Sequence, residues 1–174
     1  SMVARFFDRK NGGFWQSGPD SKDLFLRTKE DYDGAEPSGN SVAVLALLRL
    51  AGITGRDDLA KASEQTLQLY AGRLREQPGA LPHLLLAAAM WMEQRPRVVI
   101  AGDTRSPAGA ELLHAAHSVH RPFKVVLGTV GPVSTFARGL SAVDGEPTAY
   151  VCVGTICRPP VKSAQALKGI LTAD

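Results

Sequence analysis

At Pro96 the chain changes grammar, and no other feature narrows the possible folds as much. On the N-terminal side apolar residues recur every three to four positions in successive stretches, whereas on the C-terminal side short continuous apolar runs alternate with helical ones. Ser38 to Ala51 carries Val42, Leu45, Leu48 and Leu50 with alanines between them, and Gly52 follows as a stop, which predicts a helix. Asp57-Asp58 opens a second, with Leu59, Ala62, Thr66, Leu69 and Leu74 on one stripe and Pro78-Gly79 beyond its end. A third is expected from about Pro82 to Glu93, since a proline in the first turn lacks only an N–H that would have had no partner. Residues 3 to 35 carry no such period. There Phe6-Phe7 suits a helix end, Asn11-Gly12-Gly13 marks a turn, and Phe14-Trp15 suits a short strand or a plug against a core.

Beyond Pro96, Val98-Val99-Ile100-Ala101 has the length and continuity of a buried strand and is ended by Gly102-Asp103. Ser106-Pro107 caps a helix that runs to about His120, and Lys124 to Leu127 is the next strand, so residues 97–127 form a βαβ unit. A short helix near Val133 to Gly139, a hairpin of Ala149 to Val153 and Thr155 to Cys157 around Gly154, and a helix from Ser163 to Leu171 complete the order. The fold class expected is therefore mixed α/β: a helical segment over 1–95, then a small βαβ-containing α/β unit over 96–174, joined at Gln94-Arg95-Pro96. By element order the sheet is Rossmann-like or thioredoxin-like. In the thioredoxin alternative, Pro147 stands just before the third strand, where thioredoxins carry a cis proline. Thr129-Val130-Gly131-Pro132 then takes the redox-motif position without a cysteine, and the domain is redox-silent.

Composition sets outer limits. With 44% apolar and 21% charged residues the chain has ordinary globular chemistry, and a formal charge of +3 is scattered rather than clustered, so nucleic acid is not expected as a partner. The longest apolar run, Ala80 to Met92, is broken by Pro82 and His83 and falls short of the roughly 20 residues of a membrane span. No charged and then apolar leader follows Ser1-Met2, and a cytoplasmic location is expected. Ser1-Met2 itself has the look of a cleavage scar, which makes the chain a piece of something longer. Leu45, Leu48, Leu69, Leu84, Leu85, Leu86 and Trp91 are more than three helices can bury among themselves. Each exposed Leu costs roughly 1.5 to 3 kcal/mol relative to burial. The α/β unit, the Phe6 to Trp15 segment or a second copy must cover them, and a homodimer through the helical segment is the expectation for the isolated chain.

The densest polar stretch is Lys29 to Ser41, directly before the first predicted helix. Its carboxylates, Asp33 and Glu36 above all, suit an acid/base pair of the kind used in sugar hydrolysis or epimerisation. They equally suit a capped loop, with Ser38 or Asn40 as N-cap and acidic groups near the positive helix end. The two readings are compatible. Trp15, Tyr32 and Asn40 are the ligand-binding candidates beside them. Cys152 and Cys157 flank the predicted Gly154 turn, where a hairpin can oppose them as a disulfide or half of a zinc site; in an intracellular protein buried thiols are the expectation. His114, His117 and His120 follow helical spacing with Glu111 as the only local carboxylate, which suits a helix end better than a metal, and no metal or other cofactor is expected. Gly102 to Ser106, lacking the glycines or lysine of a phosphate loop, reads as a turn and cap.

Asp33-Gly34-Ala35-Glu36-Pro37-Ser38-Gly39-Asn40-Ser41, with Leu47-Leu48-Arg49-Leu50 closing the segment, resembles the spermatogenesis-associated protein 20 family of thioredoxin-domain-containing proteins. Val98 to Asp103, His117-Ser118-Val119, and Thr148-Ala149-Tyr150-Val151-Cys152 with Cys157 are similar to the C-terminal third of that family. The resemblance implies an N-terminal thioredoxin-like domain and an α/α toroid like those of N-acylglucosamine 2-epimerases and six-hairpin glycosidases, both lying mostly outside this chain as its missing partners. It implies a C-terminal fragment, inert alone, of a larger protein whose reaction is unassigned and for which carbohydrate isomerase, epimerase or hydrolase chemistry is the candidate. The alternative is a non-catalytic protein-binding or scaffolding module.

Overall fold

The computed structural model describes residues 1–21, 24–93 and 95–173. It is mixed α/β, with helices first and the sheet afterwards, and it divides into two units: Ser1–Ala51 with Arg56–Glu93, and Gly52–Gly55 with Gln94–Asp174. Gln94, in the predicted joint, lies outside the described residues.

The first unit holds α1 (Met2–Phe6), α2 (Gly39–Ala51 of a helix running to Thr54), α3 (Asp57–Glu76) and α4 (Pro82–Met92). Two acidic residues in its first turn and two arginines in its last suit α3 to the helix dipole. The core face of α2 differs from the predicted stripe. Leu45 and Leu48 are buried, but with Val44 and Leu47, while Val42 and Leu50 are each 46% exposed. Helix α2 has a single charged residue, Arg49, so its sequence holds no polar face to orient it, and packing decides. On α3, Leu59, Ala62 and Thr66 are buried as predicted, but Leu67 and Tyr70 complete the inner face while Leu69 turns outward. Phe14 plugs a core made with Ala43, Leu47, Leu59 and Ala62, flanked by Phe6 and Phe7.

The second unit carries β1 (Pro96–Ala101), α5 (Pro107–Ser118), β2 (Val125–Gly128), α6 (Thr135–Arg138), β3 (Thr148–Val153), β4 (Ile156–Cys157) and α7 (Ala164–Thr172). The sheet order is β2-β1-β3-β4; β1 and β2 are parallel across the α5 crossover, and β3 and β4 run antiparallel. That mixture of strand directions departs from an all-parallel, doubly wound sheet. No described peptide bond is cis, so Pro147 enters β3 in the trans form. Strand β1 is buried on both faces: Val98 and Ile100 meet Leu112, Ala115, Leu167 and Leu171 of α5 and α7, and Val99 meets Val133, Ala137 and Tyr150. A central strand covered twice has no reason to alternate, which is why its sequence reads as one apolar run.

Candidate functional site

The segment that carries the predicted carboxylates is held from below by Asp33. Its side chain is buried; Oδ1 accepts from the Ser38 N–H at 2.8 Å, and Oδ2 accepts from the His83 and Leu84 N–H groups at 2.8 and 3.2 Å. Those last two amides belong to the first turn of α4, where a helix has no internal acceptors of its own. Burial pushes Asp33 up, but the Ser41 hydroxyl and the three amides outweigh it and hold the carboxyl below its usual range. Ser38 is the residue that caps α2, its Oγ accepting from Ser41 N–H at 3.1 Å. Asn40 is no cap. It clamps the chain 26 residues earlier, accepting from Phe14 N–H at 2.6 Å and donating to the Phe14 and Glu30 carbonyls at 3.1 Å each.

That clamp builds the wall of a groove of about 470 Å³ in the first unit, lined by Met2, Phe6, Phe14, Trp15 and Asn40, with Gln16 and Glu30 as further polar groups. The N-terminal segment reaches it through a turn at Asn11-Gly12-Gly13, closed by the Phe7–Phe14 bridge, with the two rings 5.1 Å apart. Gly12 has φ of 74° and a Cβ there would stand 2.5 Å from the Gln65 carbonyl oxygen, so both conformation and space require glycine. Lys29 ties the turn to the Trp15 ring. Its Nζ lies 4.4 Å from the ring centroid and 2.8 Å from Asp8 Oδ2, and Arg27 stacks on the same ring at 4.9 Å. The Asp8 and Lys29 side chains are 11% and 13% exposed, and the ammonium, aided by the Lys10 and Asn11 amides, holds Asp8 far below the usual carboxylate range against burial.

Of the predicted residues, the groove brings together Trp15 and Asn40. Asp33 is not among its lining residues and is held in its amide cradle, and Glu36 and Tyr32 are exposed outside the lining. Arg27 carries no signal in the sequence, and Lys29 and Glu30 enter there only as members of the polar stretch; two cations alternating a dozen residues after a tryptophan are too common on surfaces to mark a site. The groove can hold a small ligand between aromatic walls and a few polar groups, and the acidic group it offers is Glu30.

In the second unit, a crevice of about 360 Å³ opens at the carboxyl ends of β1 and β2, lined by Gly102, Thr104, Leu113, His117, Gly128 and Thr129. The Gly102 to Ser106 segment beside it is a turn and cap: Ser106 Oγ accepts from Gly109 N–H, and Asp103 Oδ1 from Arg105 N–H. His117 lines the crevice; His114 and His120 do not. Among the described residues no group of three or more His, Cys, Asp or Glu is placed to hold a metal ion. Cys152 and Cys157 are directly opposed across β3 and β4, and their Sγ atoms are bonded, where an intracellular chain had been expected to keep thiols.

A helical unit followed by a small mixed sheet, with a capped acidic loop between aromatic groove and helix, is the class of protein on view. This chain is 34% identical to human spermatogenesis-associated protein 20 and 33% identical to the rat protein of that name, over 95% of this chain and 22% of each relative. The mouse protein is 32% identical over the same share. The chain is thus a homologue of spermatogenesis-associated protein 20 along nearly its whole length. It spans about a fifth of the length of the curated relatives it matches and so corresponds to part of a larger protein. No family model matches the chain, and no solved structure does. Among the described residues no helix is long and apolar enough to cross a membrane.

Proposed function

We propose that this chain is the C-terminal structural module of a longer, cytoplasmic, thioredoxin-domain-containing protein, catalytically inert by itself, whose helical unit completes an α/α toroid begun elsewhere in the polypeptide. The observation that carries this reading is the outward face of the helices. Val42 and Leu50 on α2, and Leu85, Leu86 and Met92 on α4, are each more than 40% exposed, and α4 has no charged residue at all. A helix apolar on every side is ordinarily a helix covered on every side. Leu24, Phe25 and Leu26 add three adjacent exposed apolar side chains. Relatives more than four times as long supply a source for the cover within one polypeptide. Co-expression of the chain with the remaining part of the full-length protein, as separate polypeptides, is expected to give a complex on size exclusion. Leu85→Glu with Met92→Glu abolishes it while leaving the far-ultraviolet spectrum of the module unchanged. A complex indifferent to both charges overturns the reading.

The aromatic groove favours a second reading, in which the whole protein acts on a sugar-like polyol. Trp15 and Asn40 wall the site, Glu36 and Tyr32 join it when the toroid is complete, and Asp33 positions the loop. Sugar-induced thermal stabilisation of the full-length protein, lost in Glu36→Gln, supports this reading; indifference to every sugar leaves the scaffolding role.

A further inference from the structure

We propose that the Cys152–Cys157 disulfide is a reversible thiol-exchange site, attacked at Cys157 by a small cellular thiol and opened with Cys152 as the leaving thiolate. Five observations support it. Strand pairing puts Arg97, Cys152 and Cys157 in one row across β1, β3 and β4, with all three side chains on the same face of the sheet. The Arg97 guanidinium is partly buried, donates to the Gly154 carbonyl at the hairpin tip, and stacks 5.1 Å over the Phe136 ring. Burial of Cys152 opposes a thiolate there, and a cation fixed against the hairpin on the same face of the sheet offsets that cost and makes Cys152 a better leaving group than a buried thiol without one.

The two sulfurs are also unequal. Cys152 is fully buried and Cys157 is partly open, beside Ile156 at 81% exposure, so approach from solvent reaches Cys157. Opening the bond does not require unfolding. Arg158 N–H donates to the Val151 carbonyl at 2.9 Å, and Ala149 and Val161 exchange two backbone bonds of 2.8 and 3.0 Å, so the chain returns beside β3 without the sulfur bridge. The bridge spans a sequence separation of 5, a loop short enough that closing it restrains little of the unfolded chain.

The chemistry balances with a monothiol as reductant. A thiolate attacks Cys157 Sγ, the S–S bond breaks, and Cys152 leaves as thiolate and takes a proton from water. A second thiolate attacks the reductant's sulfur in the mixed disulfide and releases Cys157, so two thiols give two electrons and end as their own disulfide.

The test uses the oxidised 174-residue chain with reduced glutathione at neutral pH, quenched by alkylation and read by mass. Both thiols are expected to appear together with circular dichroism unchanged. Arg97→Gln slows the opening about three- to tenfold, and Arg97→Lys, which keeps the charge but not the planar stack, restores most of the rate. In Cys152→Ser the remaining Cys157 takes up glutathione from its disulfide, whereas in Cys157→Ser the buried Cys152 does not. A chain isolated as the dithiol is expected to close its bond in oxidised glutathione. A disulfide that millimolar glutathione opens only in denaturant, a rate unmoved by Arg97→Gln, a dithiol that does not close, or preferential capping of Cys152 each overturns the proposal.

Discussion

A carboxylate that accepts three backbone amides has spent most of its acceptor capacity, and Asp33 is in that position. Removing it leaves the first-turn amides of α4 and the Ser38 N–H without their partner. Asp33→Ala is therefore expected to lower stability by about 2–4 kcal/mol, and Asn40→Ala by about 2 kcal/mol, both readable by urea denaturation. The pH dependence follows from the same bonds. Asp8 and Asp33 are held below the usual carboxylate range when folded, so between the folded and ordinary values the unfolded chain binds more protons. Their contribution is complete above the ordinary carboxylate range and is lost as pH falls through it toward the lower folded values. The thermal midpoint is expected to drop between about pH 5 and pH 3, and an Asp8→Asn, Asp33→Asn double variant to start lower and vary less over that interval. An acid limb as steep in the double variant as in the parent assigns the dependence to other groups.

Among the elements, α5 shows how a glycine in an ordinary helical conformation can still be irreplaceable. A Cβ on Gly109 would lie 2.2 Å from the Asp103 carbonyl oxygen and 2.8 Å from Thr104 Cα, because the turn after β1 folds back onto the helix it caps. Gly109→Ala is expected to cost about 2–3 kcal/mol despite the better helix propensity of alanine. Gly72 in α3 has nothing within 4 Å of the same added atom, and Gly72→Ala is expected to stabilise by about 0.5–1 kcal/mol. Chemical denaturation of the pair, with opposite signs, checks that space and not propensity governs α5. Helix α2 makes the complementary point: its start was legible from Ser38, but Gly52 does not stop it, the helix running on to Thr54 with Gly55 at φ of 71° beyond, and which side faces inward was not legible because a helix with one charged residue offers no contrast to read.

For the molecule as a whole, the outcome to measure is association. Leu45, Leu48 and Leu84 are buried, whereas Leu69, Leu85 and Leu86 remain more than 40% exposed. An isolated chain with such faces is expected to bind an apolar dye and to associate, either with the rest of the longer polypeptide or, when that is withheld, with a second copy. Static light scattering at micromolar concentration checks this directly. A monomer of 18.5 kDa that binds no dye would mean that those side chains are single surface apolar residues of the ordinary kind.

Local sequence determined what depends on near neighbours: the helices after Ser38, Asp57, Pro82 and Ser106, the apolar run that becomes β1, and the hairpin around Gly154. Period, caps and turn residues act over a few positions, so they can be read one segment at a time. What only the tertiary structure decided depends on partners far along the chain. Asp33 and Asn40 stand in the same polar stretch as Glu36, yet the first is consumed by amides 50 and 51 residues away and the second by Phe14, 26 residues earlier, while Glu36 stays in solvent. Spacing alone cannot separate a carboxylate available to a ligand from one that holds a loop to a helix, because the difference lies in which distant backbone groups the fold brings within hydrogen-bond reach of it.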